Sequence, residues 1–192
     1  IDNDVNVSTL ARMPEVITME DQDGDDETVW HLLEHAVDMA CQAFVQTRIT
    51  EGEHLKDDLI DKLDNMLELV TRIEKRSPLV VDEYRARLED KVSELLSETS
   101  VDEGRIATEV TIFADKICVD EETVRLRSHI ESTKATLIEG GSVGRKLDFI
   151  AQEMNREANT ILSKASDLSI TDWAITLKTE IEKVREQIQN IE

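Results

Sequence analysis

Between Glu27 and Arg76 no proline interrupts the chain, and apolar residues recur every three or four positions: Leu33, Val37, Ala40, Phe44, then Leu55, Leu59, Leu63, Met66, Val70 and Ile73. That spacing is the signature of a helix with one apolar stripe. About 50 helical residues extend roughly 75 Å, longer than a compact domain of this size, so the element is expected to be partly exposed or packed against another chain. Gly52 is its weak point, at a cost of about 1 kcal/mol relative to Ala. Ser77-Pro78 is expected to close it, because proline disfavours a helical residue before it and suits the first turn of a following helix. A second stripe, Val81, Tyr84, Leu88, Val92 and Leu95, then predicts a long antiparallel helical hairpin over residues 27–100.

The remainder is also helical in pattern, so the expected fold is all-α, the hairpin being followed by a helical-bundle domain over 101–192. One stripe runs Ile106, Val110, Phe113, Ala114, Ile117; another runs from Asp120 through Val124, Ile130 and Leu137. A third carries Leu147, Ile150, Met154, Ala158, Ile161 and Leu162. The last, Ile170, Trp173, Leu177, Ile181, Val184, Ile188 and Ile191, approaches a heptad seam and predicts a long, straight, coiled-coil-like packing face. Residues 1–26 are acidic and read as mostly irregular, with the run Asp21 to Asp26 as a mobile loop. Val16, Ile17 and Met19 fit either a short strand or docking on the helices.

Charge limits the function. With Lys+Arg 22 against Asp+Glu 43 the net charge is -21, which repels nucleic acid and anionic membrane unless a local patch or a bound cation reverses the sign. The six aromatic residues (Trp30, Phe44, Tyr84, Phe113, Phe149, Trp173) are too few for the stacking sheets and barrels that bind unpaired bases. Cys41 and Cys118 lack metal-type spacing and read as reduced thiols of a cytoplasmic protein. No apolar run approaches 20 residues, so no membrane span or membrane partner is expected. The first residue is Ile1 and not Met, which leads to the expectation that the natural protein starts earlier.

Three short motifs admit ordinary explanations. His31-Leu-Leu-Glu34-His35 matches one zinc-peptidase pattern, but Leu32 and Leu33 belong to an apolar stripe and no further ligand signature follows. Glu51-Gly-Glu53-His54 has the spacing of di-iron bundles without the second copy they require. Gly140-Gly-Ser-Val-Gly144 is no phosphate loop of the P-loop type; it reads as a hinge or helix–helix turn, with Arg145-Lys146 at a helix start where an anion is favoured.

A more informative constellation spans two consecutive helices. In Asp120 to His129, helical spacing puts Glu122, Arg125 and His129 along one face. In Asp148 to Lys164, Glu153 and Glu157 lie one turn apart with Lys164 two turns on, and such like charges call for a facing cation, an arginine or a metal. From Arg125 to Lys164 there are seven basic residues (Arg125, Arg127, Lys134, Arg145, Lys146, Arg156, Lys164) and five acidic ones (Glu131, Glu139, Asp148, Glu153, Glu157), a basic island in an acidic chain. Carboxylates for a divalent ion, Arg and Lys for phosphate and a histidine for proton transfer are what metal-assisted phosphodiester cleavage uses. The competing explanation is an interhelical salt-bridge network.

Glu121-Glu-Thr-Val-Arg-Leu-Arg-Ser-His129, Gly144-Arg-Lys-Leu-Asp-Phe149 through Ser163-Lys164, and Glu182-Lys-Val-Arg-Glu-Gln-Ile-Gln-Asn-Ile-Glu192 resemble the signature of the bacterial YicC family, described as endoribonucleases. Arg48, Glu51-Gly52 and Leu55 resemble that family's middle region. Residues from about Ile106 onward resemble its complete C-terminal domain, and residues 1 to about 90 the tail of its N-terminal region, the start of which is expected to lie outside this chain. Thr123 stands where the pattern has Leu, and Ile117-Cys118-Val119 where it carries an acidic residue before Ile. The resemblance implies endonucleolytic cleavage of RNA in a homo-oligomer, a hexamer being the size entertained. The expected divalent cation, Mn or Mg, has Glu122, Glu153 and Glu157 as ligands and Glu121 and Asp148 as second choices. His129 acts as acid or base beside these glutamates. Arg125, Arg127, Arg145, Lys146, Arg156 and Lys164 are expected to contact phosphate, and Gln152, Asn155 and Asn159 to orient these groups or bond RNA. The alternatives are a non-catalytic oligomeric helical scaffold for RNA or a partner nuclease, and a metal-storage bundle.

Overall fold

The computed structural model of the protein describes residues 5–18, 25–95 and 103–191. Six helices follow one another: α1 (Val7–Leu10), α2 (Asp26–Leu95), α3 (Glu103–Ile117), α4 (Asp120–Glu139), α5 (Gly144–Lys164) and α6 (Leu168–Ile188). The fold is all-α, with no strand among the described residues. Val16 and Ile17 are exposed and belong to no helix. Met19, residues 21–24 of the acidic run, and 97–102 of the polar link lie outside the described residues.

The chain divides into two compact units, residues 1–49 and 50–192. In the first, every described residue is exposed. The stripe Leu33, Val37, Ala40, Phe44 therefore faces solvent, and Trp30 and Phe44 are among its large exposed side chains.

The second unit holds the core. Leu59, Leu63, Met66, Val70 and Ile73 of α2 are fully buried together with Leu126 and Ile130 of α4, Leu147, Met154 and Ile161 of α5, and Leu177 and Ile181 of α6. The heptad-like seam of α6 is thus covered by the chain's own core. Val124, expected inward, is exposed; Thr123 beside it is buried and satisfies its hydroxyl by donating to the Asp120 carbonyl at 3.0 Å.

The expected turn at Ser77-Pro78 does not form: α2 passes through Pro78 as helix, so the antiparallel hairpin gives way to one long helix followed by the helical domain. An interior proline removes one backbone bond and costs about 3 kcal/mol, and tertiary contacts offset it here. Pro78 is exposed while Ser77 and Val80 on either side are buried. The Arg76 guanidinium spans the proline, donating to both Glu83 oxygens at 2.6 and 2.8 Å and to Asp167 at 2.8 Å.

That guanidinium holds the Asp167 and Glu83 carboxyls below their ordinary range. A carboxyl with a depressed folded-state pKa contributes stability that is complete above its unfolded value and lost as pH falls through its folded one. Asp167 also caps α6, accepting from the Ile170 N–H at 3.1 Å, and asparagine preserves such a cap. Asp167→Asn is therefore expected to flatten the fall of melting temperature with pH below about 4 while retaining the cap. Thermal unfolding at stepped pH checks this; parallel curves for variant and parent would remove Asp167 from the acid response.

Candidate functional site

The turn between α4 and α5 places the charged side chains. Gly140 and Gly141 adopt φ of 72° and 86°, a region that glycine enters without a Cβ penalty, and the Gly140 N–H closes α4 on the Thr136 carbonyl at 3.1 Å. The glycine-rich stretch is thus a helix–helix turn. So short a connection makes α4 and α5 antiparallel neighbours, bringing the start of α4 beside the end of α5.

Along that edge Glu122 and Glu157 are buried, 8% and 6% exposed. Lys164 donates to Glu122 Oε1 at 2.8 Å. The other oxygen, Oε2, is buried without a hydrogen-bond partner, an arrangement that costs free energy unless something else meets it. Arg125 pairs with exposed Glu121 and lies 3.9 Å from Glu157 Oε1. His129 is half-buried, and its offsets of seven from Glu122 and four from Arg125 keep it on the same edge of α4. On α5, half-buried Glu153 precedes Glu157 by one turn and shares its flank.

Other expected members lie elsewhere. Arg127 turns toward α2, donating to Glu74 at 2.7 Å and Thr71 at 3.2 Å. Asp148 is on the opposite flank of α5, accepting from Arg185 of α6 at 3.1 Å and from Gln152 at 2.7 Å. Gln152, Asn155, Arg156 and Asn159 line a shallow polar groove on the outward side of α5 together with Thr160 and Ser163, and Asn159 donates to Asn155 at 3.3 Å. Arg145 and Lys146 open onto a separate cleft between the start of α5 and the end of α6, which also takes in Phe149, Ile188 and Ile191. A Cβ on Gly144 would collide with the Ile191 carbonyl, so glycine at this position lets the chain end close against α5. Phe149 had no part in the expected site. Its place six residues into a basic helix start was legible, but not the α6 end opposite it.

Among the described residues no three His, Cys, Asp or Glu side chains converge as metal ligands. The H-x-x-E-H stretch is exposed, with His31 3.7 Å from Glu34, and Glu51, Glu53 and His54 are exposed as well. The α4/α5 edge offers less than a preformed cage, yet it suits a hard cation. Magnesium is commonly held by one or two carboxylates plus waters and substrate phosphate oxygens, and the unpartnered oxygen of Glu122 is the atom most in need of one.

Comparison with known proteins gives the family. The family model described as "Endoribonuclease YicC-like, C-terminal" matches residues 73–192, and that described as "Endoribonuclease YicC-like, N-terminal region" matches residues 2–57. The chain belongs to the YicC-like family. It is 44% identical over 191 residues to the probable endoribonuclease YicC of Clostridioides difficile strain 630, covering 99% of this chain and 65% of that protein. It is 36% identical over 191 residues to the probable endoribonuclease YicC of Haemophilus influenzae strain Rd, covering 100% and 65%. The chain thus spans 65% of the length of these relatives. The C-terminal match begins at residue 73, within α2 and well before Ile106, in keeping with the buried positions Ile73, Ser77 and Val80 that α2 contributes to the core.

Proposed function

We propose that this chain carries the cleaving centre of an endoribonuclease and that the α4/α5 edge is that centre. The observation that carries the reading is the unpartnered, buried Oε2 of Glu122 on an edge that also holds Glu157, Arg125, Lys164 and His129. An isolated carboxylate oxygen is costly to bury and is rationalised when a cation or a substrate proton meets it.

The residues divide the task as follows. Arg125 and Lys164, paired with Glu121 and Glu122, are the cations of this edge that an RNA phosphate would meet. Arg156 and the amides of Gln152, Asn155 and Asn159 continue the polar track outward along α5. His129 moves a proton to or from the reacting oxygens, since an imidazole changes charge near neutrality. A Mn or Mg ion held by Glu122 and Glu157, with Glu153 one turn before Glu157 on α5, would supply a Lewis acid for the phosphate and a more acidic bound water. Arg127 and Asp148, tied to Glu74 and Arg185, hold α4 and α5 in place.

Incubation of end-labelled RNA with the purified chain tests this. Internal cleavage leaving a 5' phosphate and suppressed by excess chelator is expected. A 2',3'-cyclic phosphate formed equally well in chelator would transfer the chemistry to 2'-hydroxyl attack with His129 as base and remove the ion, and intact RNA would remove the cleavage reading.

A second reading, a non-catalytic oligomeric scaffold for RNA or a partner nuclease, is favoured by one observation: large apolar side chains of residues 25–49, among them Trp30, Leu33 and Phe44, are more than half exposed, as befits a surface that another copy covers. A homo-oligomer, a hexamer being the size entertained, accommodates both readings, and retention of assembly with no turnover would select the scaffold. A cytoplasmic location goes with an RNA substrate. No described helix is long and apolar enough to cross a membrane, and Cys41 and Cys118 are free and exposed.

A further inference from the structure

The cleft between the start of α5 and the end of α6 lies apart from the α4/α5 edge and has a volume of ≈ 920 Å³, within the range of small-ligand sites. Its lining combines three chemistries. Phe149 presents its ring at 64% exposure, although it is one of only three phenylalanines in the chain. Arg145 and Lys146 flank it, and neither forms an ion pair with a described residue, in a chain where acidic groups outnumber basic ones by 43 to 22. Ile188 and Ile191 add an apolar wall. The acid in the lining, Asp148, is engaged by Arg185 at 3.1 Å and by Gln152 at 2.7 Å, so its charge is already compensated.

The exposed ring between two cations offers a stacking face beside positive charge. It is well suited to a nucleotide: the base stacks on the ring and the phosphate meets the cations. Stacking on a side chain needs a base free of its neighbours, which selects single strands over duplex.

We propose that this cleft is a subsite for one unpaired nucleotide of an RNA strand, with Phe149 stacking the base and Arg145 and Lys146 holding its phosphate. The assignment rests on the RNA reading above and adds to it a preference for single-stranded substrate. Phe149 also shares the outward side of α5 with Gln152 and Arg156, at offsets of three and seven.

Fluorescence anisotropy with the purified chain and a short, fluorescein-labelled, 2'-O-methylated single-stranded RNA, which resists cleavage, tests the proposal. Phe149→Ala is expected to weaken binding about tenfold, Phe149→Trp to stay within about twofold of the parent, and a duplex of the same sequence to be indifferent to both. Arg145→Gln and Lys146→Gln should each lower the salt slope of binding by roughly one. Equal melting temperatures for parent and Phe149→Ala exclude loss of fold as the cause. Parent-like binding by Phe149→Ala, or equal loss for single strand and duplex, would overturn the subsite. So would displacement of the RNA by adenosine monophosphate at concentrations close to the RNA's own Kd, which would assign the cleft to free nucleotides. A changed sedimentation coefficient for Phe149→Ala with unchanged RNA affinity would make the ring a contact between copies, also overturning it. A chain that cuts no RNA but shows the expected pattern keeps the subsite and loses the nuclease. One whose Phe149→Ala variant binds and cuts RNA like the parent keeps the nuclease and loses the subsite.

Discussion

Lys164→Met is expected to lower stability by about 2 kcal/mol, while adding Glu122→Leu to it restores or exceeds the parent's stability. Lys164 supplies the hydrogen bond to Glu122 Oε1 at 2.8 Å, and the second oxygen has no partner. Removing the lysine strands a carboxylate that is 8% exposed. Loss of one partner from a fully buried pair costs more, about 3–5 kcal/mol; the lysine is about one-third exposed, so water screens part of the effect. Replacing both members by apolar residues of similar size removes the desolvation cost as well, which is why buried pairs are frequently neutral or worse relative to a packed core. In a chain of this length 2 kcal/mol corresponds to a fall in Tm of roughly 4–8 °C. Thermal unfolding followed by circular dichroism reads Lys164→Met, Glu122→Leu and the double variant. If the double variant is destabilised by the sum of the two single effects, the pair has no coupling energy and the loss in Lys164→Met does not come from a stranded Glu122. If it recovers, the pair is held at a cost that stability alone does not explain.

The second large effect is on turnover. His129→Ala is expected to reduce single-turnover RNA cleavage by about 10²–10⁴, the usual contribution of a positioned proton-transfer group. The side chain is half-buried and no described residue bonds its ring, so RNA affinity and Tm should stay close to the parent's. That separation distinguishes it from Arg127→Gln. Arg127 bridges α4 to Glu74 and Thr71 on α2, and its loss should appear in stability before it appears in the rate constant.

The sequence was most legible where large apolar residues repeat every three or four positions. The stripes of α4, α5 and α6 are visible in this way, because burying a helix requires that spacing whatever its neighbours are. The continuity of α2 was not legible. A proline is a local signal against helix, whereas the ion pairs that flank Pro78 join Arg76 to Glu83 seven residues away and to Asp167 ninety-one residues away. The candidate site divides in the same manner. Helical offsets sufficed to align Glu122 with His129 and Glu153 with Glu157. Which charged groups were already engaged depended on partners distant in the chain: Glu74 for Arg127, fifty-three residues away, and Arg185 for Asp148, thirty-seven residues away. Phe149 escaped notice because an outward aromatic acquires meaning only from what stands opposite, here the end of α6.

The most direct measurement of the central claim is the cleavage rate of Glu122→Gln, His129→Ala and the double variant under single-turnover conditions, with RNA binding followed in parallel. Groups that act as one unit lose activity non-additively, so the double variant should be no slower than the worse single one while all three bind RNA like the parent. Losses that multiply, or a double variant that still cuts at the parental rate, would mean that Glu122 and His129 do not act together in one reaction centre on the α4/α5 edge.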